Sequence, residues 1–119
     1  MKSDLNYIYY IQKKYKDAVE ILVTGEKDSR SRVQAAYYIF WHIQLNEYPE
    51  SLRKKVELIS KILTRLPGRE GFMLDDNFRK MKNKTASKAA KMIYDVYLDM
   101  ESHIKESELQ NDNIGIEEK

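Results

Sequence analysis

Between Arg79 and Lys91 six of thirteen residues are basic and none is acidic: Arg79, Lys80, Lys82, Lys84, Lys88 and Lys91. Lysine ammonium groups are mobile point charges that suit phosphate oxygens without reading base sequence. On a helix Lys80, Lys84, Lys88 and Lys91 fall at i, i+4, i+8 and i+11, so they share one face. Asn83, Thr85 and Ser87 add short hydrogen-bonding groups, and Ala86, Ala89 and Ala90 let the helix approach a second backbone closely. A phosphate contact is therefore physically reasonable. The simpler account is a solvated face of a soluble helix. Arg30 and Arg32 flank Ser31 in the first turn of another helix, where the dipole favours anions. They either extend the basic surface or pair with Glu26 and Asp28.

Other chemistry is poorly provided for. His42 and His103 stand far apart and in no metal-ligand spacing, and both read as core or boundary histidines. Without cysteine there is neither thiolate site nor disulfide. Gly68-Arg69-Glu70-Gly71 is too short for a phosphate loop, and no nucleophile elbow is present. Asp75-Asp76 is better explained as a helix start than as a cation site. Asp95 and Asp99 share a face but have ordinary surface neighbours, so nothing marks an acid–base pair. The distance from Arg30 or Arg32 to His42 is wrong for a helical ribonuclease of the toxin type. The connection at Leu66 to Gly71 is too long for a helix-turn-helix. The expectation is a non-enzymatic protein with no catalytic residue, metal or cofactor.

The first helix holds four of nine tyrosines: Tyr7, Tyr9, Tyr10 and Tyr15. Ile8, Ile11 and Tyr15 face inward by spacing, which leaves Tyr7 and Tyr10 on another side. Exposed tyrosines are common in protein interfaces. A partner surface at Tyr7 and Tyr10, for another protein or a second copy in a homodimer, is the leading functional expectation. Nucleic-acid association through residues 79–91 is the alternative.

Four apolar stripes position these groups. Ile8, Ile11, Tyr15, Ala18 and Leu22 repeat at 3, 4, 3, 4 in a helix from about Asp4, capped there or at Ser3, to Thr24, with Gly25 as its stop in the left-handed conformation. Asp28 or Ser29 caps a second helix with the stripe Val33, Ala36, Tyr37, Phe40 and Ile43. Ala35, Tyr38, Ile39 and Trp41 fill much of its remaining surface, so it reads as the central, most buried helix. Asn46 to Pro49 forms a break, with Pro49 suited to the first position of a third helix. That helix carries Leu52, Val56, Ile59, Leu63 and Leu66 and stops at Pro67-Gly68. Phe72 and Leu74 are expected to tuck inward from a loop. A last helical region starts near Asp75, either continuous to about Glu108 or broken near Lys84 with Thr85 or Ser87 as the new cap. Its stripe is Ala86, Ala89, Ile93, Val96, Met100 and His103 or Ile104. No segment alternates with period two, so no sheet is expected. The fold class is all-α, an antiparallel four- or five-helix bundle.

At 119 residues this is one domain, assigned to residues 1–108. Residues 109–119 read as an acidic, disordered tail. Residues 101–119 have six acids against two bases, whereas residues 1–100 have nineteen bases against thirteen acids. This asymmetry leaves room for the tail to fold back on the basic surface. No apolar run has the length of a membrane span, and the N-terminus lacks a signal-peptide core. With no cysteine, the expected location is cytoplasmic, with no membrane partner.

The segments Asp28-Ser29-Arg30-Ser31-Arg32, Leu45-Asn46-Glu47-Tyr48-Pro49-Glu50 and Lys82-Asn83-Lys84-Thr85-Ala86-Ser87-Lys88 together resemble small uncharacterised bacterial all-helical proteins. The resemblance spans roughly residues 17–98. It implies a helical fold and a bacterial or mobile-element origin, and it carries over no activity and no functional residue.

Overall fold

A computed structural model describes residues 5–25, 28–64 and 80–117. These form α1 (Leu5–Thr24), α2 (Ser29–Phe40), a 3-10 turn (Leu45–Glu47), α3 (Glu50–Thr64) and α4 (Asn83–Glu117). The described residues contain helices and no strand, as the apolar periodicity requires. No described helix is long and apolar enough to cross a membrane. The Pro67-Gly68 stop, Phe72, Leu74, the Asp75-Asp76 helix start and Arg79 lie outside the described residues.

The described ends and turns have identifiable local causes. Asp28 caps α2: its side chain accepts from the Ser31 N–H at 3.0 Å, which holds its carboxyl below the usual range. Gly25 follows α1 without the left-handed backbone expected of it, and sits where α1 and α2 meet. A Cβ there would lie 2.6 Å from Arg32 Cγ and 2.8 Å from the Ile21 carbonyl oxygen. α2 stops at Phe40 because the chain tightens, with Ile43 N–H donating to the Phe40 carbonyl at 3.0 Å. Pro49 stands one residue before α3, where its missing N–H leaves no bond unmade. α4 begins at Asn83, with its first bond from Ala86 N–H to the Lys82 carbonyl at 3.0 Å. It passes Glu108, where the sequence places the end of the last helix, and runs to Glu117. Once nucleated, a helix gains one bond per added residue, and no proline interrupts this one.

Contacts between distant residues give the directions. Tyr10 meets His42 while Arg32 reaches the Leu22 carbonyl, so α1 and α2 are antiparallel. Tyr9 bonds Glu108, and Glu20 lies near enough to Tyr97 to act on its phenol, so α1 and α4 are antiparallel. Lys55 pairs with Asp99, which docks α3 against α4, and the Tyr37 hydroxyl of α2 reaches Ser60 of α3 across the space between those two helices.

The stripes supply the core. Ile8, Ile11, Tyr15 and Ala18 meet Val33, Ala36, Tyr37 and Phe40, and α4 contributes Ala86, Ala89, Ile93, Val96, Met100 and Ile104. Three aromatic rings centre it: Tyr15 stacks on Phe40 at 4.3 Å, and Tyr48 meets Tyr15 edge-on at 6.0 Å. The Tyr15 and Tyr48 hydroxyls bond each other at 2.8 Å. Burial raises both phenols well above their ordinary range. One expectation is corrected. α2 is not buried all round: Ala35, Tyr38 and Trp41 are exposed, because only the Val33–Phe40 stripe faces the other helices.

Candidate functional site

Two surfaces merit attention, one aromatic and one basic. The aromatic one forms where α2 turns into the 3-10 segment. Trp41 is 55% exposed, with Tyr38 at 39% one helical turn before it and Leu45 at 37% just after. Trp41 and Leu45 flank a cleft of about 160 Å³ whose floor is Phe40, Ile43 and Tyr48 and whose far wall is Val56 of α3. His42 continues this corner toward α1, where its Nε2 lies 3.3 Å from the Tyr10 hydroxyl. Tyr10 is 43% exposed, and the Lys14 ammonium sits 5.5 Å from its ring centre. On the other side of α2 a groove of about 550 Å³ runs between Ile21, Gly25 and Tyr38.

The two tyrosines expected at an interface part company here. Tyr10 faces outward. Tyr7 is half-buried, its ring 5.6 Å from Tyr10, and it donates a hydrogen bond to the carboxylate of Glu47. Glu47 is the buried charged residue among those described, and it ties the 3-10 turn to α1. Tyr7 therefore positions the corner from behind. The sequence reading missed Trp41, Tyr38 and Leu45. A signal was present: Tyr38 and Trp41 fall off the Val33-Ala36-Tyr37-Phe40 stripe, and a large aromatic off the stripe must find a second neighbour or face water.

The basic surface lies at the other end of the bundle. Lys80, Lys82, Lys84, Lys88 and Lys91 are all exposed, while Met81, Ala86 and Ala89 between them sink into the core. Lys82, Lys84, Lys88 and Lys91 make no ion pair with an acid among the described residues. The antiparallel order brings the start of α2 to this same end. Arg30 is there, held by Asp28 at 3.3 Å. Arg32 is turned inward instead: one terminal nitrogen lies 3.4 Å from the Leu22 carbonyl, and its Nε is buried with no partner. It packs over Gly25 and closes the α1–α2 corner. Tyr94 and Leu98, 46% and 40% exposed, continue the outer face of α4 beyond the lysines.

Among the described residues, neither histidine is joined by a second histidine or a carboxylate at hydrogen-bond distance. His42 faces a phenol, and His103 is half-buried on α4. No group of three metal-binding side chains gathers among the described residues. Comparison with protein families, curated sequences and solved structures finds no match for this chain.

Proposed function

We propose that this chain is a non-enzymatic interaction module that docks another protein on the corner formed by Tyr38, Trp41 and Leu45, with Tyr10 and His42 at its edge. The observation that carries the reading is the exposure of Trp41, the one tryptophan in the chain, with three further large apolar side chains open around it. Water beside such rings is costly, and a partner that displaces it gains roughly 25 cal/mol per Å² covered. Trp and Tyr dominate the few residues that carry most interface energy. The corner is also rigid: the Tyr15–Tyr48 bond and the Tyr7–Glu47 bond fix the turn beneath it, so little order is lost on docking.

The test is a comparison of proteins enriched on the immobilised chain and on its Trp41→Ala, Leu45→Ser double variant, with folding checked by circular dichroism. A partner retained by the parent and lost by the folded variant supports the corner. An unchanged partner set refutes it.

A second reading has its own support, lysines 82, 84, 88 and 91, which make no ion pair among the described residues. They would hold the phosphate backbone of a nucleic acid without sequence preference. Binding of random duplex DNA or RNA that weakens steeply with salt, and is lost in Lys84→Glu, Lys88→Glu, Lys91→Glu, would favour it. No binding at low salt would remove it.

A further inference from the structure

The outer face of α4 carries two rows of residues seven apart, with its apolar side chains, Tyr94 and Leu98, confined to the middle. Lys84, Lys91, Leu98 and Lys105 occupy one position, and Ser87, Tyr94, Glu101 and Glu108 occupy the position three residues on. Positions seven apart, with a second row three residues on, share one face of a helix and can meet a second helix along a shallow seam. Inside the bundle α4 uses a different stripe, Ala86 to Ile104. The outer rows are solvent-facing: Lys84, Lys91, Lys105, Ser87 and Glu108 are exposed, Glu101 is half-buried, and Tyr94 and Leu98 are 46% and 40% exposed.

Its charge is sorted along the helix. The first half carries Lys84 and Lys91, the middle Tyr94 and Leu98, and the second half Glu101 and Glu108. A sequence sorted in this way is complementary to itself when reversed. Laid antiparallel on a second copy, with the twofold axis between Tyr94 and Leu98, each residue of one position faces a residue of the other. Lys84 then faces Glu108, Lys91 faces Glu101, Leu98 faces Tyr94, and Lys105 faces the small Ser87. Two apolar contacts lie at the centre and four opposite-charge pairs lie outside them. A parallel pairing would set lysine on lysine and glutamate on glutamate.

We infer that the occupant of this face is a second copy of the chain, in an antiparallel α4–α4 homodimer. The seam spans about 36 Å at 1.5 Å per residue. Both glutamates lie at the α1 edge of this face: Glu108 accepts from Tyr9 of α1, and Glu101 accepts from Tyr97, pushing that phenol up to about 12. A carboxylate has acceptor sites left for an ammonium group. The apolar centre is small and exposed ion pairs contribute little each, so the dimer is weak and salt-sensitive. The seam shares no residue with the Tyr38–Trp41–Leu45 corner, so either can fail without the other.

The experiment uses two variants of the full chain. One is Lys84→Glu, Lys91→Glu; the other is Glu101→Lys, Glu108→Lys. Sedimentation at low salt should give the parent twice its 14.2 kDa mass, reverting to monomer as salt rises from about 20 mM to about 500 mM. Each variant alone places like charges on each other and should be a monomer. Mixed, they restore all four opposite pairs and should form a heterodimer. A nucleic-acid surface behaves differently, because the second variant would bind polyanions more tightly and the mixture would recover nothing. A monomeric parent at low salt, or a dimer indifferent to both variants, overturns the inference. Disulfide trapping covers the case in which the second variant loses helicity, since the chain has no cysteine of its own. Tyr94→Cys and Leu98→Cys chains should cross-link faster mixed than either does alone, and equal rates would overturn the seam.

Discussion

The hydroxyl pair of Tyr15 and Tyr48 supports a double-mutant cycle whose outcome can be worked from the geometry. Both side chains are fully buried, and their oxygens lie 2.8 Å apart. Tyr15→Phe removes one oxygen and leaves the Tyr48 hydroxyl in the core without its partner. Leaving a buried polar group unsatisfied costs about 1–3 kcal/mol, and Tyr48→Phe should cost about the same for the same reason. The double variant replaces both partners by rings of nearly the same shape. It loses a bond with a net worth of about 1 kcal/mol and strands nothing. It should therefore be destabilised by less than the sum of the singles, with a coupling of about 1–3 kcal/mol. Urea unfolding of the four proteins, followed by circular dichroism, measures this directly. Each kcal/mol also corresponds to about 3–6 °C in Tm for a chain of this size. Additive effects within about 0.5 kcal/mol would refute the reasoning, because they would mean that each hydroxyl finds its own partner. The result bears on function: Tyr48 anchors the 3-10 turn to the core, and that turn carries Leu45 beside Trp41.

Stability should fall as pH rises above about 10. Burial raises the Tyr15 and Tyr48 phenols, so the unfolded chain releases these protons near the ordinary value of 10.0 while the folded one retains them. Thermal melts between pH 8 and 12 should show this decline, and it should be shallower in the double Phe variant. Gly25→Ala should destabilise by about 1–3 kcal/mol, since its Cβ would meet Arg32 and the Ile21 carbonyl. Trimming Arg32 to Ala in the same chain should not restore stability, because the backbone contact remains. An unchanged denaturation midpoint in the glycine variant would contradict the packing at this corner. Trp41, as the sole tryptophan, reports on the proposed docking surface without labels. Its emission should be red-shifted and readily quenched by acrylamide in the free protein, and Trp41→Ala should change stability by less than about 1 kcal/mol. A blue-shifted, protected emission would show that the corner is already covered.

The sequence alone determined the class of fold and most of the core. The spacing of Ile8, Ile11, Tyr15 and Ala18, and of Ala86, Ala89, Ile93, Val96 and Met100, leaves one apolar stripe per helix, and each such stripe must be buried. Asp28 likewise acts through a neighbour three residues away, so its role is legible locally. What the sequence could not decide was which off-stripe residues would meet another helix. Tyr7 and Tyr10 look alike by spacing, yet Tyr7 finds Glu47, forty positions on, and Tyr10 stays open. Arg30 and Arg32 look alike in the first turn of α2, yet Arg32 is drawn inward over Gly25. Trp41 sits on an apolar-looking helix, and only the placement of α3 decided that one side of its ring would face water. Periodicity fixes which face of a helix must be covered. The identity and reach of the neighbour depend on contacts between residues far apart in the chain, and only the tertiary structure supplies those.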